Sequence, residues 1–178
     1  GHKGSVMSLL VPSPDRIVPA CRHFESCGGC SLQHWHREPM LEWKRQLVID
    51  ALAKRGIDAA VQPTIGSGPG GRRRVTLSVR SEHGSVRTGF NAAHSHDIVE
   101  ISECPVASQI LVSAFPVIRE LARLLKVTRE GGHIVLTQTG NGLDVSFSGF
   151  EKLDDALRRK LSDFALRKTF ARLSVGED

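Results

Sequence analysis

Three of the chain's four cysteines lie within ten residues of one another, and the fourth stands far downstream. Cys21, Cys27 and Cys30 have the spacing C-x5-C-x2-C, while Cys104 is followed by Pro105. Four thiolates are the ligand set of an iron–sulfur cluster, where a proline often follows the last cysteine. Structural zinc also accepts four cysteines, usually arranged as two C-x2–4-C pairs. Because this chain has one such pair and two single cysteines, the pattern indicates a metal centre and favours iron–sulfur over zinc.

Three interpretations without a metal stand beside this one. Two disulfides could use all four cysteines, but no secretory signal is recognisable, and a cytoplasmic chain would keep its thiols reduced. A thioredoxin-like redox pair at Cys27 and Cys30 would need a helix that starts at the first cysteine, and the intervening Gly28 and Gly29 are poor helix starters. These glycines instead let the loop turn back, so that the flanking sulfurs face one point. The cysteines could also be unrelated buried thiols.

Composition predicts a packed core and a positively charged surface. The 178 residues are 40% hydrophobic, and no apolar run in the sequence approaches the length that crosses a membrane. We therefore expect a cytoplasmic protein with no membrane partner. The net charge of +5 and the isoelectric point of about 9.3 favour a polyanionic partner. Because the sequence opens with Gly1-His2-Lys3 instead of methionine, we also expect parts of a longer protein to be missing.

Hydrophobic periodicity and turn residues predict seven short strands and three longer helices. The predicted strands cover residues 5–11, 75–79, 85–91, 98–101, 133–138, 143–147 and 171–175. The predicted helices cover residues 40–55, residues 106–126, where Pro116 must kink or split the helix, and a third region containing residues 153–164. Two hairpin-then-helix units in series indicate an α+β fold, with helices packed on a mostly antiparallel sheet. The cysteine-rich iron–sulfur loop is an addition to this fold.

Arginines cluster at the start of the first predicted hairpin, just after a glycine-rich loop at residues 65–71 that lacks the spacing and the lysine of a phosphate-binding loop. The cluster consists of Arg72, Arg73, Arg74, Arg80 and Arg87. Three successive arginines that enter a strand cannot all point into a core, so some must be presented on a surface. Guanidinium groups bind phosphate in fork geometry and also stack on bases. The cluster is either a contact surface for RNA or a solvated edge that deters sheet-to-sheet aggregation.

Two tryptophans, Trp35 and Trp43, follow the cysteine loop closely. Aromatic rings of this kind serve as stacking platforms for bases in proteins that bind single-stranded nucleic acid. They serve equally as packing for a helix or as a shield for a metal site. Both interpretations remain open from the sequence.

Taken together, these motifs resemble the RlmD/RumA-type 23S ribosomal RNA uracil-5-methyltransferases, within the wider TrmA-like group. The matching stretches are Ser13-Pro-Asp-Arg16, Cys21-x5-Cys27-Gly-Gly-Cys30-x2-Gln33-His34, Gly71-Arg-Arg-Arg74, Thr88-Gly-Phe90 and His96-Asp-Ile-Val-Glu-Ile-Ser-Glu-Cys104-Pro105. The resemblance covers most of the chain from Val11 onward and weakens after Gly131. It implies a 4Fe-4S cluster ligated by the four cysteines, and it implies that the arginine-bearing surface faces an RNA substrate, most readily ribosomal RNA.

Members of the family typically have three parts: a small RNA-binding TRAM barrel, a central domain that carries the cluster, and a domain that binds S-adenosylmethionine. The resemblance implies that residues 1–20 are the last strand and linker of a truncated TRAM domain. Residues 21–37 would then form the cluster loop, and residues 38–178 the central α/β domain for RNA recognition. The S-adenosylmethionine domain would be absent from this chain and present only in the full-length protein.

The family's chemistry uses a cysteine that attacks C6 of uracil and thereby activates C5 for methylation. We assign no catalytic residue in this chain, because the metal site claims all four cysteines and no Asp-Pro-Pro-Arg segment is present. We therefore expect the chain alone to be inactive. Two rival interpretations are a zinc-binding RNA-binding module without catalytic activity and an electron-transfer protein.

Overall fold

A computed structural model of the chain describes residues 7–82 and 84–176. Its helices are α1 (Arg37–Ala53), α2 (Gln109–Leu124) and α3 (Asp155–Arg167). Its strands are β1 (Arg74–Glu82), β2 (Ser85–Asn91), β3 (Ile98–Val99), β4 (Gly132–Thr139), β5 (Gly142–Ser148) and β6 (Phe170–Val175). The described residues form two compact units. The first unit comprises residues 7–20 and 31–66, and the second comprises residues 21–30 and 67–176 apart from position 83.

The second unit is built on one six-stranded sheet with the strand order β3-β2-β1-β4-β5-β6. Neighbouring strands run antiparallel except for β5 and β6, which pair in parallel. Antiparallel neighbours can be joined by a tight turn, whereas a parallel neighbour needs a crossover, which α3 supplies here. The predicted α+β fold with a mostly antiparallel sheet is therefore confirmed, and the parallel pair at one edge makes the sheet mixed.

One face of this sheet carries the core of the second unit. Val75, Leu77 and Val79 alternate along β1 and are buried, and Leu136 and Ile134 of β4 lie opposite the first two. Helices α2 and α3 complete the same layer with residues at helical spacing: Leu111, Ala114, Phe115, Ile118, Leu121, Leu161 and Phe164. The two-residue period of the strands and the 3.6-residue period of the helices thus meet in one hydrophobic layer.

Pro116 does not split α2, which runs without a break from Gln109 to Leu124. Pro116 is exposed, whereas Phe115 and Ile118 beside it are buried. The hydrogen bond that proline removes therefore falls on the solvent side of the helix, where helices normally curve and their bonds lengthen. A split at this residue, one of the two predicted alternatives, was wrong, whereas the helix itself is confirmed.

Helix α1 belongs to the first unit and agrees with its predicted bounds to within a few residues. Pro39 lies in its first turn, and Gly56 lies beyond its end with φ +69°, a conformation that suits glycine. No residue of α1 is buried, and Trp43, Leu47 and Val48 are 41%, 47% and 49% exposed. This helix therefore adds nothing to a buried core. Among the helices described, none is long and apolar enough to cross a membrane.

Two predicted strands differ from the structure. Residues 5 and 6 of the first predicted strand lie outside the described residues, and residues 7–11 form no strand, so that prediction was wrong for the part described. The predicted strand at residues 98–101 is shortened to β3, Ile98–Val99. The remaining predicted strands correspond to β1, β2, β4, β5 and β6, and the turn between β4 and β5 contains the expected Gly140-Asn141 pair.

Candidate metal centre and arginine surface

The fold brings the distant Cys104 to the loop that carries the other three cysteines. Burial raises the pKa of the Cys21 thiol, and the nearby Cys104, Glu103 and Cys30 act in the same direction. Burial likewise raises the pKa of the Cys27 thiol, with further contributions from Cys30, Cys104 and Cys21. These contributions indicate that Cys30 and Cys104 lie within electrostatic range of Cys21 and Cys27.

The chemical state of these thiols follows from their crowding and partial burial. All four cysteines are partly exposed, and no disulfide joins any of them. In the described part of the chain, no three His, Cys, Asp or Glu side chains are arranged as ligands of a single metal ion. The raised pKa values mean that Cys21 and Cys27 hold their protons more firmly than isolated thiols do. Metal binding at thiols requires their deprotonation and therefore releases protons.

Two side-chain contacts fasten the start of the cysteine loop to the segment that ends in Cys104. The carboxylate of Glu103 accepts a hydrogen bond from the backbone N–H of Arg22 (3.1 Å) and another from its Nη2 (2.9 Å). This pairing lowers the pKa of Glu103 and raises that of Arg22. The backbone N–H of Ser102 donates to Nε2 of His23 over 3.2 Å. Arg22, His23, Ser102 and Glu103, which we call the latch, thus hold the residues after Cys21 against the residues before Cys104.

The far end of the loop is fastened to the end of β2. The N–H of Gly28 donates to the carbonyl of Asn91 over 2.9 Å, and Cys27 pairs with Ala92 as an isolated antiparallel bridge. A Cβ at Gly28 would lie 3.0 Å from the Asn91 carbonyl oxygen and 3.1 Å from two backbone atoms of Ala92. Glycine is therefore needed here because two backbones approach closely. The N–H of Gly29 donates to Sγ of Cys27 over 3.4 Å, a hydrogen bond that favours a thiolate at this sulfur.

Residues 70–74, which we call the arginine segment, pair by backbone with the residues that follow Cys104. The N–H of Gly70 donates to the carbonyl of Pro105 (2.8 Å), and the N–H of Arg72 donates to the carbonyl of Val106 (2.9 Å). The N–H of Ser108 completes the pairing by donating to the carbonyl of Arg72 over 2.9 Å. Residues 102–108, which we call the bridging segment, are therefore bonded to the cysteine loop by side chains and to the arginine segment by backbone.

The five predicted arginines fall into two classes. Arg72, Arg73 and Arg74 are exposed, and no carboxylate in the described part of the chain pairs with them. Arg80 is half-buried and likewise has no ion pair with a described residue. Arg87, in contrast, pairs with Glu82 (3.2 Å) and Glu100 (3.7 Å) and donates to the Ile98 carbonyl (2.6 Å). The guanidinium of Arg87 is therefore already engaged in holding β2 to β3.

Arg74 also marks one end of a polar face of the sheet, opposite the core. Cross-strand partners share a face, and the pairs Arg74–Thr137, Thr76–Val135, Ser78–His133 and Arg80–Arg87 lie on this one. The β5 and β6 residues Asp144, Ser146, Arg172 and Ser174 continue it. Val135 is the single large apolar side chain among these residues. Hydroxyl, imidazole and guanidinium groups on such a face can donate hydrogen bonds to phosphate and sugar oxygens.

Comparison with known proteins finds RNA methyltransferases that are similar in sequence to this chain. An RNA methyltransferase of Brucella suis biovar 1, named as uncharacterised, is 44% identical over 173 residues, which are 97% of this chain and 42% of that protein. One of Caulobacter vibrioides, also named as uncharacterised, is 37% identical over 182 residues, covering 98% of this chain and 44% of that protein. The 23S rRNA (uracil(1939)-C(5))-methyltransferase RlmD of Halomonas elongata is 39% identical over 134 residues, or 74% of this chain and 28% of that protein.

The chain belongs to this family of RNA methyltransferases. The resemblance identified from the cysteine and arginine motifs is thereby confirmed. The chain spans about two fifths of the length of the first relatives, at 42% of each. No protein-family model matches it.

Sequence reasoning singled out the cysteines and arginines as candidates but did not identify the latch. A usable signal was present, because Arg22 and His23 directly follow Cys21, while Ser102 and Glu103 directly precede Cys104. If two cysteines converge on one site, their neighbours converge as well, and Arg22 and Glu103 have opposite charges. The backbone pairing of Gly28 with Asn91 gave no comparable signal, since any residue can supply a carbonyl group.

Proposed function

We propose that this chain is the iron–sulfur, RNA-recognition region of an S-adenosylmethionine-dependent 23S rRNA uracil-5-methyltransferase. The observation that carries the proposal is the bridging segment, residues 102–108. It presents Cys104 to the cysteine loop through the latch, and it pairs by backbone with the arginine segment. Whatever fixes the four cysteines therefore also fixes the position from which Arg72 enters the sheet.

The donor set fits a 4Fe-4S cluster, and Cys21, Cys27, Cys30 and Cys104 would hold it. Four cysteine thiols and no competing disulfide match the ligands that such clusters take. Cys27 and Cys104 also pack against the hydrophobic core, which would limit solvent access to one side. When bound, the cluster would cross-link residues that are distant in sequence. Its role would be structural, because metal binding contributes folding free energy.

The RNA-contacting role is assigned to the exposed arginines. Arg72, Arg73, Arg74 and Arg80 have no carboxylate partner among the described residues, so their charge is available to a phosphate. The polar sheet face that begins at Arg74 offers hydroxyl groups beside them. Arg87 was predicted to join this set, but its two ion pairs make it the least available member.

Methyl transfer itself is proposed for the longer protein. There, S-adenosylmethionine would be the methyl donor, and uracil C5 of ribosomal RNA would be the acceptor. The chain alone has no cysteine beyond the four of the candidate metal centre. We therefore expect it to transfer no methyl group to RNA, which a radiolabelled S-adenosylmethionine assay would test.

The experiment that tests the cluster is an anaerobic visible spectrum, together with counts of iron, zinc and acid-labile sulfide. We expect broad visible absorption, with iron and sulfide at about four each per chain. The Cys104→Ala variant should lose most of both. About one zinc per chain without sulfide, repeated after anaerobic reconstitution, would instead establish the alternative, a zinc-binding RNA-binding module without catalytic activity.

A second experiment tests the arginines by replacing Arg72, Arg73 and Arg74 with alanine. We expect weaker binding of labelled single-stranded RNA, and a slope of log affinity against log salt that is shallower by about 2, because each phosphate contact contributes roughly 0.7. The matched control replaces Arg158, Arg159 and Lys160, three exposed cations on α3, and removes the same charge elsewhere. Equal loss of affinity in both triple variants would contradict a specific arginine surface.

A further inference from the structure

A pocket of about 300 Å³ lies within the first unit, and no cysteine lines it. Leu9, Pro12 and Trp35 form apolar walls, and Ser13, Asp15 and Arg16 supply polar groups. The volume is at the lower end of the range for small-ligand sites. Apolar walls with a few polar groups are the usual composition of a site that binds a small ligand.

The pocket is built by two short segments that are bonded to each other. Arg16 and Trp35 form an isolated antiparallel bridge. The N–H of Ile17 donates to the carbonyl of His34 (2.9 Å), and the N–H of His36 donates to the carbonyl of Asp15 (2.7 Å). The turn before them is closed by the N–H of Arg16, which donates to the Ser13 carbonyl over 3.0 Å. The polar residues and the indole of Trp35 are therefore held in a fixed relation by backbone.

The indole of Trp35 is braced from α1. Its ring centroid lies 5.3 Å from that of Trp43, at an interplanar angle of 48°. Aromatic pairs at this separation attract one another and restrict ring motion. Trp35 is half-buried, so this ring both packs and retains accessible surface. The two interpretations of the tryptophans, packing and stacking, are thus compatible in one residue.

The polar side of the pocket has unused hydrogen-bonding capacity. Asp15 is half-buried, and no described residue donates a hydrogen bond to its carboxylate. Arg16 is exposed and forms no ion pair with a described carboxylate. A carboxylate accepts hydrogen bonds and a guanidinium donates them, so together they can bind a partner that offers both an N–H group and a carbonyl oxygen.

We propose that this pocket takes one unstacked base of the RNA, stacked on Trp35 and hydrogen-bonded at its edge by Asp15 and Arg16. Guanine and uracil each present an N–H beside a carbonyl oxygen, whereas adenine and cytosine lack an N–H in the ring, so the pocket selects the first two. Sequence-specific recognition of RNA commonly works in this way, with splayed bases held on aromatic rings. The inference rests on the proposed RNA-binding function and adds a base-specific site to its charge-based contacts.

The chain's two tryptophans allow a direct test. The Trp43→Phe variant leaves Trp35 as the single tryptophan, and its fluorescence is followed while the chain is titrated with short single-stranded RNA. We expect quenching by guanine- or uracil-containing oligomers and none by an abasic oligomer of the same length. Binding of the labelled RNA is measured in parallel by anisotropy. Binding without any change in Trp35 fluorescence would refute the pocket and leave the proposed function standing.

Affinity measurements complete the test. Trp35→Ala should weaken binding of base-containing RNA by roughly 5- to 150-fold, the usual loss for one stacked base, while Trp35→Phe keeps most of the affinity. Asp15→Asn should remove the preference for guanine and uracil without abolishing binding. Unchanged affinity in Trp35→Ala and unchanged preference in Asp15→Asn would overturn the proposal. Failure of the unaltered chain to bind any RNA at low salt would overturn the proposed function itself.

Discussion

The two compact units differ in how far their apolar residues are buried. In the second unit, the buried residues of β1, β4, β5, α2 and α3 form a continuous layer, and Leu136 and Val145 are fully buried. In the first unit, α1 has no buried residue at all, and Leu47 is nearly half exposed. Hydrophobic burial is the dominant favourable contribution to folding, and among the described residues the buried hydrophobic core lies in the second unit. The four cysteines lie on this unit.

This difference determines which unit can hold side chains in fixed positions. A four-ligand site needs side chains that are held by packed elements, and the second unit provides them through β2 and the bridging segment. The arginine segment shares that support, because its backbone is bonded to the bridging segment. The first unit offers a helix with exposed apolar residues and a small pocket, features that suit contact with other molecules more than rigid placement of a metal.

The largest expected effect comes from comparing one leucine in each unit. Leu136→Ala should lower the free energy of unfolding by about 2–5 kcal/mol, because it opens a cavity in the core layer. Leu47→Ala should change it by no more than about 0.5 kcal/mol, as surface substitutions usually do. Urea denaturation followed by circular dichroism measures both. If the two variants lost equal stability, α1 would have to be buried in solution, and the contrast between the units would fail.

A smaller effect is expected at the close approach of the cysteine loop to β2. Gly28→Ala places a methyl group 3.0 Å from the Asn91 carbonyl oxygen, so the loop or the strand must move. We expect a loss of about 1–3 kcal/mol in stability, the usual range for overpacking, together with reduced iron content after anaerobic reconstitution. Gly68→Ala is the matched control, since a Cβ there meets nothing within 4 Å. Equal iron retention in the two variants would show that iron binding does not depend on the close approach of Gly28 to the end of β2.

The smallest effect is expected at the latch. Arg22→Ala removes the side-chain donor to Glu103 but leaves all four thiols in place, and Arg22 is 70% exposed. Groups that orient metal ligands typically contribute 10- to 100-fold in metal affinity, and for an exposed pair we expect about tenfold at most. Chelator-driven loss of iron, followed by absorbance, measures the change. Arg129→Ala, which replaces another exposed arginine, should leave the rate of iron loss unaltered. An identical rate of iron loss in both variants would show that the latch does not help to retain iron.

Much of the fold could be predicted because its signals are local. Gly140-Asn141-Gly142 between two alternating runs predicted the β4–β5 hairpin, and Gly56 predicted the end of α1. The parallel placement of β6 could not be predicted in the same way, because it depends on how α3 crosses the sheet. The shortening of β3 is also a tertiary effect. A Cβ at Gly89 would collide with the Val99 carbonyl oxygen, so the close approach of β2 to Val99 requires glycine at this position.

The residue types of the candidate site could be predicted from the sequence, but the hydrogen bonds and ion pairs between them could not. Spacing singled out Cys21, Cys27 and Cys30, and the following proline singled out Cys104. Which arginines have free charge could not be read from the sequence. Arg87 and Arg80 are similarly placed on neighbouring strands, yet only Arg87 faces carboxylates, because the positions of Glu82 and Glu100 depend on strand register. Register is fixed by the whole sheet.

The bridging segment also has a consequence for the order of events during synthesis. Cys21, Cys27 and Cys30 leave the ribosome first, and α1, β1, β2 and β3 all follow before Cys104 appears. In the folded chain, residues 102–108 take their backbone partners from Gly70 and Arg72, so the fourth cysteine is held by the segment that leads into β1. The nascent chain therefore passes through a period in which three thiols are exposed without the fourth.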